Sequence, residues 1–206
     1  MALKDIIEAG TQTLVDHVEE LTALDAAIGD GDHGLNMKRG ALAIRAKLTE
    51  LEGMSLNEAL KTMGMTCMST VGGSSGPVFG TLMVTLGKEL PQAPHAPQAA
   101  DLARALAAGI AALSRLGKVE VGHKTLLDVL DPVQKVLASH DPARPDSTTR
   151  DLIARVRQCA HASAAATAQM AAIKGRASFL GERALGHVDP GSRSMALIID
   201  AVCDSL

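Results

Sequence analysis

Apolar residues recur at helical spacing along nearly the whole chain, and no stretch shows the strict alternation of a half-buried strand or the turn signature of a hairpin. A chain patterned this way has to build its core from packed helices. The apolar positions mark about eight helical segments, at roughly 2–22, 34–51, 55–70, 77–90, 98–116, 124–139, 147–174 and 190–204. Several limits have chemistry behind them. Ser55 with Glu58 spells a capping box, Pro77 suits a first helical turn, and Gly117 and Gly175 fit C-terminal stops. Pro132 inside the sixth segment should kink or divide it. The Pro-rich stretches 91–97 and 141–146 read as surface connections, and the Ala-rich run from Ala160 to Ala172 as a place for close helix packing. Short connections favour neighbours that run antiparallel, so the expected fold is all-α, an eight-helix up-and-down bundle or closed barrel.

With 206 residues, 47% of them hydrophobic, the chain can fill one core, and one domain over 1–206 is expected. A net charge of −3 and an isoelectric point near 6.1 give no basic surface for nucleic acid. Cys67, Cys159 and Cys203 are odd in number and far apart, which argues for reduced thiols over a disulfide framework or structural zinc. Lys4, Asp5 and Glu8 are foreign to a signal peptide, and no apolar run is long enough to span a membrane, so a cytoplasmic protein is expected. With two Phe, no Tyr and no Trp, any bound adenine ring must sit between aliphatic and thioether side chains.

Chemistry concentrates in residues 24–36, Leu-Asp-Ala-Ala-Ile-Gly-Asp-Gly-Asp-His-Gly-Leu-Asn, where Asp25, Asp30 and Asp32 lie among glycines. Carboxylate oxygens are the hard ligands Mg²⁺ prefers, and a Gly-rich backbone folds tightly around ion and phosphate. Three other patterns fail. Gly29-x-Gly31-x-x-Gly34 matches a dinucleotide fingerprint, but Leu14, Val15, Val18 and Leu21 before it are spaced as a helix, not a strand. An EF-hand beginning at Asp30 would put Ala41 where a bidentate Glu is required. The run from Gly117 to Gly122-His-Lys124-Thr125 is one residue too long for a Walker A loop. An Asp/Gly cluster is also an ordinary turn, so its meaning depends on what accompanies it.

Three further loops accompany it. Gly72-Gly73-Ser74-Ser75-Gly76-Pro77 precedes a helix and has the backbone freedom and hydroxyls to cradle phosphate, although alone it would read as a flexible turn. Gly122-His123-Lys124-Thr125 reads otherwise as a plain helix entry. The segment from Gly175-Arg176 through Gly181-Glu182-Arg183 to Gly186-His187-Val188-Asp189-Pro190-Gly191 holds more Gly, His and charge than a connection needs. These loops follow the first, third, fifth and seventh segments, and in an antiparallel bundle all four meet at one end.

The same residues carry a resemblance. Leu-Asp-x-x-Ile-Gly-Asp-Gly-Asp-His-Gly-Leu-Asn-Met, Val-Gly-Gly-Ser-Ser-Gly-Pro, Gly-x-Lys-Thr-x-x-Asp, and Gly-Arg-Ala-Ser-Phe-Leu-Gly-Glu-Arg with Gly-His-Val-Asp-Pro-Gly resemble the nucleotide-binding family of dihydroxyacetone kinases, the DhaL family, in order and over essentially the whole chain. The resemblance implies an eight-helix barrel holding ADP and two Mg²⁺ at one end. It implies Asp25, Asp30 and Asp32 as metal ligands, with His33, Gly34, Leu35 and Asn36 against the nucleotide. It places Ser74 and Ser75 on phosphate, Gly117 and Leu126 on the adenosine side, and Arg176 with Asp189, Pro190 and Gly191 closing the site. Leu126 stands where the family pattern has Met, and His123 occupies a variable position. Arg176 and His33 are candidate donors in phosphoryl transfer, and no general base is identifiable. A free-standing chain of this length resembles the phosphotransferase-system type. That type implies permanently bound ADP, recharged to ATP by a phosphohistidine phosphocarrier subunit, and a separate dihydroxyacetone-binding kinase subunit as the acceptor's carrier. A homodimer is compatible with the sequence. Two other readings stay open: an ATP-exchanging subunit for another small ketose such as erythrulose, and a nucleotide-loaded regulator of a transcription factor.

Overall fold

The computed structural model describes residues 2–92, 96–143 and 148–206; residues 93–95 of the first Pro-rich connection, and residues 144–147 of the second with the expected start of the seventh segment, lie outside them. The described residues form ten α-helices and no strand: α1 Leu3–Asp16, α2 Val18–Ile28, α3 His33–Arg45, α4 Leu48–Glu52, α5 Leu56–Thr70, α6 Ser75–Glu89, α7 Ala99–Gly117, α8 Leu127–Ala138, α9 Thr149–Ala166 and α10 Pro190–Asp204. Eight of them close a ring. α1 packs on α3, α3 on α5, and then α6, α7, α8, α9 and α10 follow in chain order until α10 returns to α1. α2 and α4 are short continuations of α1 and α3, so the eight expected segments are the eight staves of the ring.

The two extra helices come from local breaks. At His17 the backbone leaves helical geometry (φ −104°, ψ 19°), and the imidazole Nδ1 donates to the Thr13 carbonyl at 2.8 Å, an acceptor the helix already uses. The chain re-enters as α2 and runs to Ile28, six residues past the expected end, which carries Asp25 onto a helix instead of a loop. Lys47 makes a similar break before α4. The seventh segment ends early, at Ala166 instead of 174, where the Thr167 hydroxyl donates to the Ala164 carbonyl at 2.6 Å and a 3₁₀ turn follows. Gly175 accordingly stops no helix. It precedes a 3₁₀ stretch, Arg176–Ala184, bent at Gly181.

Other expectations match. Ser55 accepts from the Glu58 amide, while the Glu58 carboxylate accepts from the Ser55 amide at 3.1 Å, closing the capping box. Pro77 lies in the first turn of α6, and α7 ends at Gly117 with Lys118 in a left-handed C-cap. Pro132 does not divide α8, because Val129, Leu130 and Val133 on either side of it are almost fully buried. Burial of that kind outweighs the roughly 3 kcal/mol a proline costs inside a helix.

The core has two parts. The larger joins Leu21, Met37, Phe79, Leu127, Leu130, Met195 and Leu197 with the alanine side of α9, where Ala160 and Ala164 let the helix approach closely. The smaller lies under α4 and α5 and includes Ile7, Ile44, Leu51, Met63 and Val71. All three cysteines are free thiols. No helix of the described residues is long and apolar enough to cross a membrane.

Candidate functional site

The α2–α3 corner is built around one carboxylate. Asp25, in the last turn of α2 and 9% exposed, accepts the backbone N–H of Asp32 at 2.9 Å and of His33 at 3.1 Å through Oδ2. Those two bonds fold the Gly29–Asp32 connection back over the helix end. Gly31 sits there at φ +75°, a region that L side chains rarely adopt. The corner leaves Asp30 and Asp32 facing solvent, and ligand oxygens of Asp25, Asp30 and Asp32 lie within 4.8 Å of one another. Three carboxylates this close repel unless a cation joins them. The chain's own nearest cation is drawn in: the Arg176 guanidinium forms an ion pair with Asp30 and lies 3.8 Å from Asp32. Hard oxygen donors, convergence and an attracted positive group together fit a divalent cation.

His33, the first residue of α3, ties three helix starts together. Its Nδ1 lies 3.2 Å from the Ser75 hydroxyl at the start of α6, and its Nε2 lies 2.7 Å from the Ser194 hydroxyl near the start of α10. Burial is the largest influence on the ring and pulls its pKa below the ordinary 6.5, against the nearby Asp25 and Asp32. A neutral imidazole can donate through one nitrogen and accept through the other, which suits a bridge between two hydroxyls. Gly34 lets α3 meet α2: a Cβ there would lie 2.3 Å from both the Val18 carbonyl and the Thr22 hydroxyl. Asn36 is buried and accepts from Arg39 at 3.3 Å, and the Gly72 backbone packs on its amide. Leu35 is 55% exposed, Ser74 precedes α6 and is exposed, and Ser75 is half-buried.

The remaining loops close on the same end. Asp189 caps α10, its Oδ2 accepting the Ser192 amide at 2.7 Å and hydroxyl at 2.9 Å, while its own N–H donates to the Thr167 hydroxyl at 3.0 Å. Burial pushes its carboxyl up to about 6, although the Ser192 donors and the Lys124 ammonium pull the other way. Pro190 is the buried first residue of α10, and Gly191 follows it against the Asp189 carboxylate. The third connection is bracketed by Gly117, exposed at the end of α7, and Leu126, 9% exposed and packed into the larger core. It meets the fourth through the Ile173 amide on the His123 carbonyl at 3.5 Å, and through Lys124.

The structure therefore brings Asp25, Asp30, Asp32 and Arg176 into one group and joins His33 to Ser75 beside it. Sequence reasoning missed Ser194, Thr167 and Ser192, all fully buried. For Ser192 and Ser194 the available signal was polar residues next to the apolar Met195-Ala196-Leu197 run at the start of α10; Thr167, in a 3₁₀ turn after α9, had none.

A family model described as the DAK2 domain matches residues 27–204, so Asp25 lies just outside the matched span. The chain is 40% identical over 182 residues to the PEP-dependent dihydroxyacetone kinase 1, ADP-binding subunit DhaL, of Listeria innocua, covering 88% of this chain and 84% of that one. It is 38% identical over 181 residues to the corresponding PEP-dependent subunit of Escherichia coli, covering 88% and 85%. A D-erythrulose kinase of Mycolicibacterium smegmatis is 33% identical over 199 residues, covering 96% of this chain but 34% of that protein. Among solved structures, the dihydroxyacetone kinase of C. freundii in complex with AMP-PNP and Mg²⁺ superimposes with a TM-score of 0.75 at 27% identity, over 99% of this chain and 34% of that one.

Proposed function

The chain belongs to the DAK2-domain family, and on that premise we propose that it is the ADP-binding subunit of a phosphotransferase-driven dihydroxyacetone kinase. In this reading a phosphohistidine phosphocarrier subunit recharges the bound ADP. The phosphoryl group then passes to dihydroxyacetone held on a separate kinase subunit, and the whole of 1–206 serves as one nucleotide-binding unit. The observation that carries it is the carboxylate group of Asp25, Asp30 and Asp32 with Arg176 drawn onto it. Asp25, Asp30 and Asp32 would hold two Mg²⁺, which supply charge neutralisation at phosphate oxygens. The helix starts at His33, Ser75 and Pro190 gather beside these carboxylates, and helix N-termini favour anions. His33, Gly34, Leu35, Asn36, Ser74 and Ser75 would take the phosphate side, Gly117 and Leu126 the adenosine side, and Arg176 with Asp189, Pro190 and Gly191 the closing wall. Identity of 40% and 38% to PEP-dependent subunits, against 33% to the erythrulose kinase, supports the phosphocarrier-driven form.

A second reading, an ATP-exchanging unit acting on another small ketose, draws on the likeness to the erythrulose kinase. Reconstitution separates the two. The chain is combined with a dihydroxyacetone-binding subunit and supplied either with phosphoenolpyruvate and a complete phosphocarrier relay or with ATP alone. The first reading predicts dihydroxyacetone phosphate from the relay at a nucleotide concentration no higher than that of the protein. Turnover from ATP alone, rising with its concentration, contradicts it. In the relay assay Asp30→Ala should lower turnover by about 100-fold or more while helix content by circular dichroism stays at the parent value.

A further inference from the structure

The Gly122-His123-Lys124-Thr125 run has the composition of a phosphate loop, yet its lysine is committed elsewhere. Lys124 is 3% exposed, and its Nζ donates to the carbonyls of Thr167 at 2.7 Å, Ala184 at 3.0 Å and His187 at 2.5 Å. An ammonium has three N–H donors, so none is left for phosphate. The three acceptors are also informative by position. One lies at the start of the 167–187 segment and two at its end, and between them the segment carries Arg176. Two further hydrogen bonds draw the same neck together: the Gly186 amide on the Ala168 carbonyl at 2.8 Å and the Asp189 amide on the Thr167 side-chain hydroxyl at 3.0 Å.

The local backbone is shaped to deliver the ammonium. Lys124 adopts φ 60°, a left-handed conformation uncommon for a residue with a side chain. The turn is braced by the buried Asp128 carboxylate, which accepts the amides of Gly122 and, at 2.7 Å, Thr125. A tetrahedral ammonium suits three converging carbonyls, whereas the planar fork of arginine does not.

We infer that Lys124 is a positioning residue: by pinching the neck of the 167–187 segment it sets the reach at which Arg176 meets Asp30 and Asp32, without touching the ligand itself. The inference rests on the reading of this end as a Mg²⁺-ADP site. Without the clasp the segment still has its sequence and its arginine, but the arginine no longer has a fixed seat.

The test uses the full chain as Lys124→Met, Lys124→Gln, Arg176→Ala and the double variant K124M/R176A. Amide hydrogen exchange is followed without nucleotide, and Mg²⁺-ADP release is followed by stopped flow. In Lys124→Met the Gly186 and Asp189 amides should exchange at least about 10-fold faster while those of α5 and α6 keep their protection. Release should quicken by about 10-fold or more, and the double variant should release no faster than Arg176→Ala alone. Lys124→Gln, which keeps two N–H donors, should fall between parent and Lys124→Met, and it carries the same reading if Lys124→Met does not fold. Release at the parent rate despite a loosened neck would make Lys124 a structural anchor only, and multiplying effects in the double variant would separate it from Arg176; either overturns the inference. A parent chain that holds no Mg²⁺-ADP would instead remove the functional reading, and this inference with it.

Discussion

Asp189 is held between opposing influences. Burial raises its carboxyl from 3.8 to about 6, and the Ser192 donors and Lys124 only partly offset that. Between those values the folded chain keeps a proton that the unfolded chain gives up. Stability from this group is therefore present at low pH and falls as pH rises through the window, and above it the ionised carboxylate is a standing cost on the order of 3 kcal/mol or less. Asp189→Asn keeps an acceptor for the Ser192 amide and removes the titration. Urea unfolding of nucleotide-free protein should show the variant gaining on the parent as pH rises from about 4 to 7. A difference that stays constant with pH would place the cost elsewhere. At this scale the sequence exposed residues whose chemistry is local. Asp30 and Asp32 are legible because they flank a glycine in a turn. Lys124, Thr167 and Ser194 are not, because their partners lie 43, 22 and 161 residues away respectively.

The α2–α3 corner shows how one element boundary controls the site. Asp25 can cap the Asp32 and His33 amides only because α2 runs on to Ile28 and α3 begins at once after the turn. Gly34 lets the start of α3 lie close against Val18 and Thr22 of α2. Gly34→Ala would place a methyl 2.3 Å from the Val18 carbonyl and 2.8 Å from the Thr22 amide, both of them close to fixed backbone. A clash with fixed backbone belongs in the upper part of the overpacking range, about 2–3 kcal/mol, which leaves about 1–2 kcal/mol after alanine's gain of about 1 kcal/mol in helix propensity. The thermal midpoint should fall by roughly 2–8 °C, and an unchanged midpoint would show that α2 and α3 can separate freely. Boundaries set by a side chain next to its own backbone, such as Ser55 with Glu58 and Pro77, could be read from sequence. The break at His17 could not, because the apolar spacing continues through it and the imidazole's bond to the Thr13 carbonyl leaves no mark in that spacing. The early end of α9 is hidden in the same way, since alanine suits both the helix and the turn that follows.

At the scale of the whole molecule, the ring explains why distant motifs share a site. Eight staves joined in chain order leave every second connection at the same end, and those are the connections that hold Asp30, Ser74, Lys124 and Arg176. This much follows from counting helices and was legible, with α2 and α4 absorbed into their neighbours. The fourth connection was the least legible: a stretch expected to be helix to 174 and a Gly-rich connection beyond it is instead two 3₁₀ turns pinched together and tied to the third connection through a buried lysine. Its form depends on contacts across the ring, which no local pattern encodes. The central claim is that this end holds ADP through divalent cation on three carboxylates. The most direct measurement is the ultraviolet spectrum of protein purified without added nucleotide and desalted extensively, with chromatography of the ligand released by acid. A chain with no Trp and no Tyr barely absorbs, so a bound adenine would dominate the spectrum. The account predicts one ADP per chain in the parent protein and none in Asp30→Ala or after prolonged chelation. A parent protein that is folded but empty, and that stays empty when Mg²⁺ and ADP are supplied, would contradict it.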